Sequence, residues 1–261
     1  MPITDLKTHF ADGGTAVNGW CAIPSSITAE IVGRAGFDMV TVDLQHGLID
    51  YQMAVTMCQV LQGLPAPVLA RVPWNEPGII MKCLDAGFSG LICPMINTAD
   101  DARRLVEAAR YAPLGGRSFG PTRANMVHGA AYARNANGKV AVFAMIETRE
   151  ALSNLDAILS VEGIDGVYVG PSDLGLSLGH EPTLEPTAAE VIEAITQIAA
   201  RTRAASRIAG VHTGSPSMVR SMLDQGFHFA SLLTDVRLFT NALSRSLADV
   251  RETKARTVSS Y

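Results

Sequence analysis

The sequence predicts a single (β/α)8 barrel, in which eight parallel strands close into a ring and each strand is followed by a helix. Short apolar segments rich in β-branched residues alternate eight times with segments of helical periodicity. No linker-like change in composition interrupts this alternation, so residues 1–261 are expected to form one domain. A doubly wound open sheet is the alternative fold. The chain has no G-x-G-x-x-G after its first apolar segment and no G-x-x-x-x-G-K-[ST], so we expect no organic cofactor.

Each predicted strand is an apolar run that ends at a polar or turn-forming residue. The strands are residues 15–21, 38–43, 67–71 and 90–94, a fifth ending in Glu147, a sixth running into Gly170, and then 207–211 and 228–233. Several of the predicted helices begin at Ser, Thr or Pro, as helices commonly do. They cover residues 25–35, 51–61, 77–85, 98–111, 149–159, 188–204, 216–225 and 235–257. Two long segments, 112–138 and 175–187, have no predicted element, and both are expected on the active-site side.

The amino-acid composition predicts a large buried core and argues against polyanions as binding partners. Hydrophobic residues make up 48% of the chain, and the net charge of −4 argues against nucleic acid or an anionic membrane as a partner. No apolar run is long enough to span a bilayer, and the N-terminus lacks a signal-peptide pattern. The four cysteines have no C-x-x-C spacing, which is typical of buried residues in a reducing compartment. We therefore expect a soluble cytoplasmic protein.

Two carboxylates follow neighbouring strands of the predicted barrel. Glu147 ends the fifth strand and Asp173 follows the sixth, so both lie at the carboxyl-terminal rim, about 5 Å apart across the sheet. Carboxylates this close repel each other unless a proton or a cation lies between them. Mg²⁺ or Mn²⁺ fits two oxygen ligands completed by substrate and water. The alternative is that Glu147 and Asp173 merely cap the helices that follow them.

Four further polar residues are predicted at the same rim, namely His46, Arg71, His212 and Thr234. Arg71 ends the third strand, where it either pairs with a rim carboxylate or stabilises a developing enolate or alkoxide. His46 follows the second strand and is either a structural hydrogen-bond donor or a base of near-neutral pKa. A metal, a cation and a base on one rim suit proton abstraction next to a carbonyl group, or the reverse reaction.

The positions of the lysines argue against a Schiff-base mechanism, which is the usual alternative to a metal in an aldolase. A metal-free aldolase needs a lysine at a strand end to form a Schiff base. The chain has only Lys7, Lys82, Lys139 and Lys254, and neither Lys82, in mid-helix, nor Lys139, at the start of the fifth strand, lies at the rim. Any enolate formed here is therefore expected to depend on a divalent metal for stabilisation.

These residues lie within motifs that carry a family resemblance. The segments GFDMVTVDLQHG, LARVPWNEP, LDAGFSGLICPMINTADDA, MIETREAL and GIDGVYVGPSDLGLSLG, within residues 18–247, resemble the metal-dependent (class II) pyruvate aldolases of the 4-hydroxy-2-oxoheptanedioate and 2-keto-3-deoxy-sugar-acid type. The resemblance implies a barrel of the phosphoenolpyruvate/pyruvate type. It implies that Glu147 and Asp173 bind Mg²⁺, Mn²⁺ or Co²⁺, that Arg71 contacts the ketone oxygen, and that His46 serves in acid–base chemistry. The substrate carboxylate would be held by the turn formed by Gly170, Pro171, Ser172 and Asp173.

The resemblance also implies an assembly. Its members pair the histidine with an aspartate, which is Asp85 in this sequence. Asp85 ends a helix on the lower side of its own barrel, so it would reach His46 only from a neighbouring subunit. The family suggests a hexamer with the C-terminal helix exchanged between partners. The alternative for Asp85 is an exposed charge at a helix end.

The sequence departs from the family pattern at Gln45, Met145 and His212, where the family often has glutamate, glutamine and an apolar residue. These departures leave the metal and enolate chemistry intact but leave the aldehyde and the preferred 2-oxo acid open. The predicted function is reversible cleavage of a 4-hydroxy-2-oxo acid to pyruvate, or hydroxypyruvate, and an aldehyde. One alternative is an acyl-CoA lyase of the malyl- or citramalyl-CoA type, for which the arginines of residues 103–123 would have to form a basic surface. Another is a non-catalytic barrel that binds a sugar acid.

Overall fold

The computed structural model, which describes residue 3 and residues 5–258, contains eight parallel strands that close into a barrel in sequence order. The predicted (β/α)8 fold is thus confirmed. Hydrogen-bonded registers join each strand to the next and β8 to β1, for example Asp43 opposite Arg71 and Ile146 opposite Val169. The strands are β1 (Ala16–Cys21), β2 (Met39–Asp43), β3 (Val68–Arg71), β4 (Gly90–Cys93), β5 (Ala141–Ile146), β6 (Gly166–Val169), β7 (Ile208–Thr213) and β8 (Phe229–Leu232).

The helices surround the barrel, and side-chain caps fix the start of many of them. Ser25, Asp50, Thr98 and Ser215 each accept a hydrogen bond from a backbone N–H in the first turn of the helix that follows. The helices are α1 (Leu6–Ala11), α2 (Ser26–Arg34), α3 (Tyr51–Leu61), α4 (Pro77–Asp85), α5 (Ala99–Ala109), α6 (Thr122–His128), α7 (Tyr132–Lys139), α8 (Arg149–Ser153), α9 (Leu155–Leu159), α10 (Pro171–Ser177), α11 (Ala189–Ala204), α12 (Pro216–Asp224) and α13 (Asp235–Val258).

Buried side chains form two clusters, one between the strands and the surrounding helices and one inside the barrel. The inner cluster is closed at the amino-terminal end by α1, whose Phe10 stacks on Phe229 with ring centroids 5.8 Å apart. At the other end, Trp20, Met145 and Tyr168 occupy the interior beneath the rim. Parallel strands buried on both faces explain why the strand sequences are continuously apolar rather than alternating.

The segment 112–138 differs from the expectation in structure and in position. It contains α6 and α7, which are separated by Gly129 at φ +85° and held by the buried ring of Tyr132. The segment connects α5 to the start of β5, so it lies at the amino-terminal end of the barrel, and Lys7 Nζ donates to its Asn137 carbonyl. Its expected place beside the active site is therefore wrong.

Two smaller differences concern the residues that follow β5 and β6. The helix expected over 149–159 divides into α8 and α9 at Asn154, whose side chain donates to the Asn97 carbonyl at 2.9 Å. Residues 171–177, read as a turn and the start of a loop, form α10 with Pro171 in its first turn. The second difference places residues 171–173, which line the rim cavity, in a helical turn instead of a loop.

The last helix, α13, packs little of its length against its own barrel. Apolar side chains at Val236, Phe239, Leu243, Leu247 and Val250 are each 45–60% exposed and lie on one face at helical spacing. Its first residue is anchored, since the buried carboxylate of Asp235 accepts hydrogen bonds from the backbone N–H groups of Ala22 and Ile23. No helix among the described residues is long and apolar enough to cross a membrane.

Candidate active site

A cavity of about 390 Å³ opens at the carboxyl-terminal rim of the barrel. The strand ends bring most of the predicted site residues into its wall, and Trp20, Asp43 and Tyr168 join them. The predicted residues that line it are His46, Arg71, Gly170, Pro171, Ser172, Asp173, His212 and Thr234. Glu147 lies behind this wall, next to Gly170, so the sequence-predicted residues other than Asp85 converge on one place.

Asp43 connects several parts of the site. Its carboxylate, 2% exposed, accepts two hydrogen bonds from Arg71, Nε to Oδ1 at 2.9 Å and an Nη to Oδ2 at 2.6 Å. Trp20 donates from its indole N–H at 3.2 Å, and the backbone N–H groups of Gln45 and His46 donate to Oδ1. Burial works to raise the pKa of Asp43, but its hydrogen bonds and the charge of Arg71 outweigh burial and lower it. Asp43 is therefore ionised and fixes both Arg71 and the loop that carries His46.

Glu147 is a buried carboxylate held by a strained backbone position. It is 2% exposed, and its Oε1 accepts a hydrogen bond of 2.7 Å from the backbone N–H of Met95. Met95 has φ +55°, a conformation that non-glycine residues rarely adopt. The pKa of Glu147 is raised to about 7, chiefly by burial and also by the charge of Asp173, which together outweigh the lowering effects of the Met95 N–H and Arg71. The carboxylate lacks a sufficient counter-charge among the described residues.

Asp173 lies in the first turn of α10 and is exposed to the cavity side. The capping alternative is wrong for both acids, because Thr148 caps α8 and α10 begins at Gly170 without a side-chain cap. The backbone of Gly170 lies against Glu147. A Cβ atom at this position would lie 2.8 Å from Glu147 Oε2, so any side chain here would force the carboxylate to shift.

The donor set suits a hard divalent cation. Two carboxylates meet at the rim, and among the described residues nothing donates a hydrogen bond to Glu147 Oε2. A cation there would supply the missing counter-charge and lower the pKa of Glu147. No cluster of three or more His, Cys, Asp or Glu side chains that could hold a metal occurs in the described part of the chain. The protein would thus supply Glu147 and Asp173, and substrate and water the remaining oxygen ligands.

His46 is exposed at the edge of the cavity, and its side chain makes no hydrogen bond to another described residue. Its position is set through its backbone, which is fixed to Asp43. The neighbouring Gln45 has a buried side-chain oxygen without a hydrogen-bond partner in the described structure. The loop therefore presents an imidazole that is free to meet a substrate or a second protein chain.

Asp85 is remote from this cavity within its own chain. It ends α4 and forms an ion pair with Arg117, an Nη to Oδ1 at 2.6 Å. The Arg117 guanidinium is fully buried over the ring of Tyr111, whereas the Asp85 side chain is 28% exposed. The expected separation of Asp85 from the cavity of its own barrel is thus observed. Its expected contact with His46 of a neighbour stays a prediction.

Three residues of the site were not singled out from the sequence. Asp43 ends β2 directly opposite Arg71, and a carboxylate and a guanidinium at matching strand ends are a recognisable signal. Trp20 and Tyr168 lie within two of the predicted strands, and nothing in the sequence distinguishes them from aromatic residues of the core. In the structure, Trp20 packs under Arg71, whose guanidinium carbon is 4.9 Å from the ring centre.

The arginines of residues 103–123 do not form the basic surface that the acyl-CoA alternative would need. Arg103 and Arg104 are paired with Asp100 and Asp101, while Arg110 and Arg117 are buried in ion pairs. Arg123 donates to the Ala86 carbonyl.

Known proteins resemble this chain over most of its length. The model of the HpcH/HpaI aldolase/citrate lyase family matches residues 19–242. The hydroxypyruvate/pyruvate aldolase of Rhizorhabdus wittichii is 41% identical over 246 residues, which cover 94% of this chain and 98% of the relative. The 4-hydroxy-2-oxo-heptane-1,7-dioate aldolase of Shigella sonnei is 34% identical over 91% of each chain. A crystal structure of a family member from Burkholderia cenocepacia superposes with a TM-score of 0.88 at 27% identity, covering 94% of this chain and 98% of the other.

Proposed function

This chain belongs to the HpcH/HpaI aldolase/citrate lyase family and is a carbon–carbon lyase, and we propose that it reversibly cleaves a 4-hydroxy-2-oxo acid to pyruvate, or hydroxypyruvate, and an aldehyde. One observation carries the proposal: a carboxylate pair without a sufficient counter-charge lies at the same rim cavity as a fixed guanidinium. The whole chain would act as one catalytic domain. Its four cysteines are unpaired and buried, which supports a reducing compartment such as the cytoplasm.

A divalent metal is implied by the family, and Glu147 and Asp173 are the residues that would hold it. When bound, the cation supplies the positive charge that stabilises the enolate of the 2-oxo acid. We expect Mg²⁺, Mn²⁺ or Co²⁺, since oxygen ligands suit all three. The uncapped first turn of α10, formed by Pro171, Ser172 and Asp173, lines the cavity and would receive the substrate carboxylate.

Arg71 and His46 would carry the chemistry in the cleavage direction. His46 takes the proton of the C4 hydroxyl, the C3–C4 bond breaks to release the aldehyde, and the electron pair of that bond forms the enolate. The enolate then takes up a proton at C3 from water or protonated His46, which gives pyruvate or hydroxypyruvate. The Arg71 guanidinium, held by Asp43, stabilises the negative charge that develops on the 2-oxo oxygen. In the synthetic direction, water or His46 removes the C3 proton, and His46 then helps to protonate the new alkoxide.

The activity is tested with pyruvate or hydroxypyruvate and a panel of aldehydes, with and without added Mg²⁺, Mn²⁺ or Co²⁺. We expect aldol products only in the presence of a metal. Arg71→Ala should abolish both cleavage and the exchange of pyruvate methyl protons with D2O. Arg71→Lys is the matched variant, because it keeps the positive charge but loses the pair of hydrogen bonds to Asp43. Methyl exchange at the wild-type rate in Arg71→Ala would remove Arg71 from the enolisation step.

The chain would work as a homo-oligomer, in the form of a hexamer with α13 exchanged between partners. The apolar face of α13 is exposed in the single chain, and Asp85 lies far from the cavity of its own barrel but retains an accessible carboxylate. We propose that Asp85 completes the site of a neighbour by pairing with His46. If so, inactive His46→Ala and Asp85→Ala proteins, mixed and reassembled, should regain up to about a quarter of the activity, because some shared sites then carry both native residues. A mixture that stays inactive after proven subunit exchange would show that His46 and Asp85 do not combine into one site across subunits.

A further inference from the structure

His212 is the one histidine of the described chain whose ring is fixed inside the cavity wall. It lies on β7, half-buried, with its ring edge against Trp20 at a centroid distance of 4.8 Å. Its Nδ1 is 3.0 Å from the hydroxyl of Tyr168, which is fully buried on β6. No hydrogen bond to Nε2 is made by any residue that the structure describes, and Nε2 is not among the buried unpaired atoms. Nε2 is therefore open to the cavity.

The hydrogen bonds of the buried hydroxyl groups of Ser231 and Tyr168 determine which ring nitrogen of His212 carries the proton. The Asn18 amide is best oriented with its nitrogen toward the Met39 and Gly19 carbonyls, each at 3.2 Å, and its oxygen toward Ser231 Oγ at 2.8 Å. Ser231 then uses its only proton on Asn18, so it accepts from Tyr168 at 2.6 Å. Tyr168 has no second proton to donate to His212.

It follows that His212 Nδ1 must donate to the Tyr168 oxygen, which makes Nδ1–H the occupied tautomer and leaves a lone pair on Nε2. The ring is also neutral, because burial and the nearby charge of Arg71 lower the pKa of His212 to about 3. The cavity wall thus presents a hydrogen-bond acceptor beside the Trp20 ring, within electrostatic reach of Arg71 and Arg237.

We propose that His212 Nε2 accepts a hydrogen bond from a hydroxyl group of the substrate, so that the enzyme prefers hydroxylated substrates over their deoxy analogues. The inference rests on the proposed aldolase function. Two substrates could supply the hydroxyl group, a 3-hydroxy-2-oxo acid such as hydroxypyruvate or a 2-hydroxyaldehyde such as glycolaldehyde. A bound deoxy substrate would cover the Nε2 lone pair without giving it a hydrogen bond. Leaving this acceptor buried and unpaired is costly, so the site discriminates in favour of the hydroxylated substrate.

The kinetic test uses the four combinations of hydroxypyruvate or pyruvate with glycolaldehyde or acetaldehyde. His212→Asn places its amide nitrogen near the former Nδ1, so it keeps a donor to Tyr168 and lacks the acceptor in the cavity. His212→Gln reaches the former Nε2 position with its oxygen and lacks the donor to Tyr168. We expect His212→Asn to lower the kcat/KM ratio of hydroxylated to deoxy substrate by about tenfold, and His212→Gln to retain more of it. The substrate whose ratio falls is the source of the hydroxyl, and unchanged ratios in His212→Asn would overturn the proposal.

A second test does not depend on turnover. In protein labelled with ¹⁵N-histidine, the His212 signals are identified by their loss in His212→Asn. We expect a protonated Nδ1 and an unprotonated Nε2 from pH 5 to 9, and an Nε2 signal that moves on addition of hydroxypyruvate or glycolaldehyde but not of pyruvate or acetaldehyde. A protonated Nε2, or an Nε2 signal unmoved by both hydroxylated compounds, would overturn the proposal. Absence of turnover with every substrate pair would instead contradict the proposed function.

Discussion

Glu147 makes the stability of the metal-free protein depend on pH in a direction opposite to that of most carboxylates. Its pKa in the folded chain is about 7, against an ordinary value of 4.5, chiefly because of burial. The folded state therefore binds more protons than the unfolded state between these two values, and stability is lost as the pH rises through that window. Each pKa unit corresponds to about 1.4 kcal/mol, so the full loss between about pH 4.5 and 7 is about 3 kcal/mol.

The matched variant is Glu147→Gln, which keeps the size of the side chain and an oxygen that accepts from the Met95 N–H. We expect urea unfolding in EDTA to show that the wild-type protein loses about 2–3 kcal/mol more than Glu147→Gln between pH 5 and pH 8. The comparison with the variant removes the contribution of all other titrating groups. If both proteins show the same pH dependence, Glu147 is not held protonated by its surroundings and the reasoning is refuted.

The same pKa determines how metal binding depends on pH. A cation must displace the proton from Glu147, so Mn²⁺ binding should release about 0.9 proton at pH 6 and about 0.1 at pH 8, as expected for a group with a pKa of about 7. Calorimetry in two buffers of different ionisation enthalpy measures this number directly. Proton release that is equal at the two pH values would mean that Glu147 is not the ligand that titrates.

Two further substitutions probe the supports of the site. Asp43→Asn should lower the free energy of unfolding by about 3 kcal/mol and lower kcat, because it leaves the Arg71 guanidinium without its buried counter-charge. Urea unfolding measures the loss, and wild-type stability would contradict this expectation. Gly170→Ala should weaken Mn²⁺ binding about 10–100-fold, because its Cβ would lie 2.8 Å from Glu147 Oε2. Gly138→Ala is the control, since nothing lies within 4 Å of a Cβ there, and equal Mn²⁺ affinity in the two variants would show that Glu147 can move aside.

The barrel was predictable because its signal is local and repeated. Eight apolar runs separated by helical periodicity leave few ways to arrange the chain, and the strand ends then place Glu147, Arg71 and His46 on one rim without any knowledge of distances. The glycines and arginines of the segment 112–138 resemble a loop and hide α6 and α7, whereas its position at the amino-terminal end follows from chain order, because it connects α5 to β5. What orders it is tertiary contact, such as the burial of Tyr132, which no local pattern shows.

The contacts that hold the site residues in place were harder to predict than the positions of Glu147, Arg71 and His46. Asp43 and Arg71 are 28 residues apart and meet only because their strands are in register, so the pairing could have been found by aligning strand ends. The contact of Tyr168 with His212 does not follow from strand register, since Tyr168 lies opposite Gly210. It depends on two side chains meeting inside the barrel, and such a meeting requires three-dimensional coordinates.

The anchoring of Asp235 divides α13 into two parts with different surroundings. Its carboxylate is bound to the backbone just after β1, whereas the apolar face of the helix beyond it is largely uncovered. The fixed base holds Thr234, immediately before it, and Val236 and Arg237, directly after it, in the wall of the cavity. One helix thus closes part of the catalytic chamber with its first turn and leaves the rest of its apolar face uncovered in the single chain.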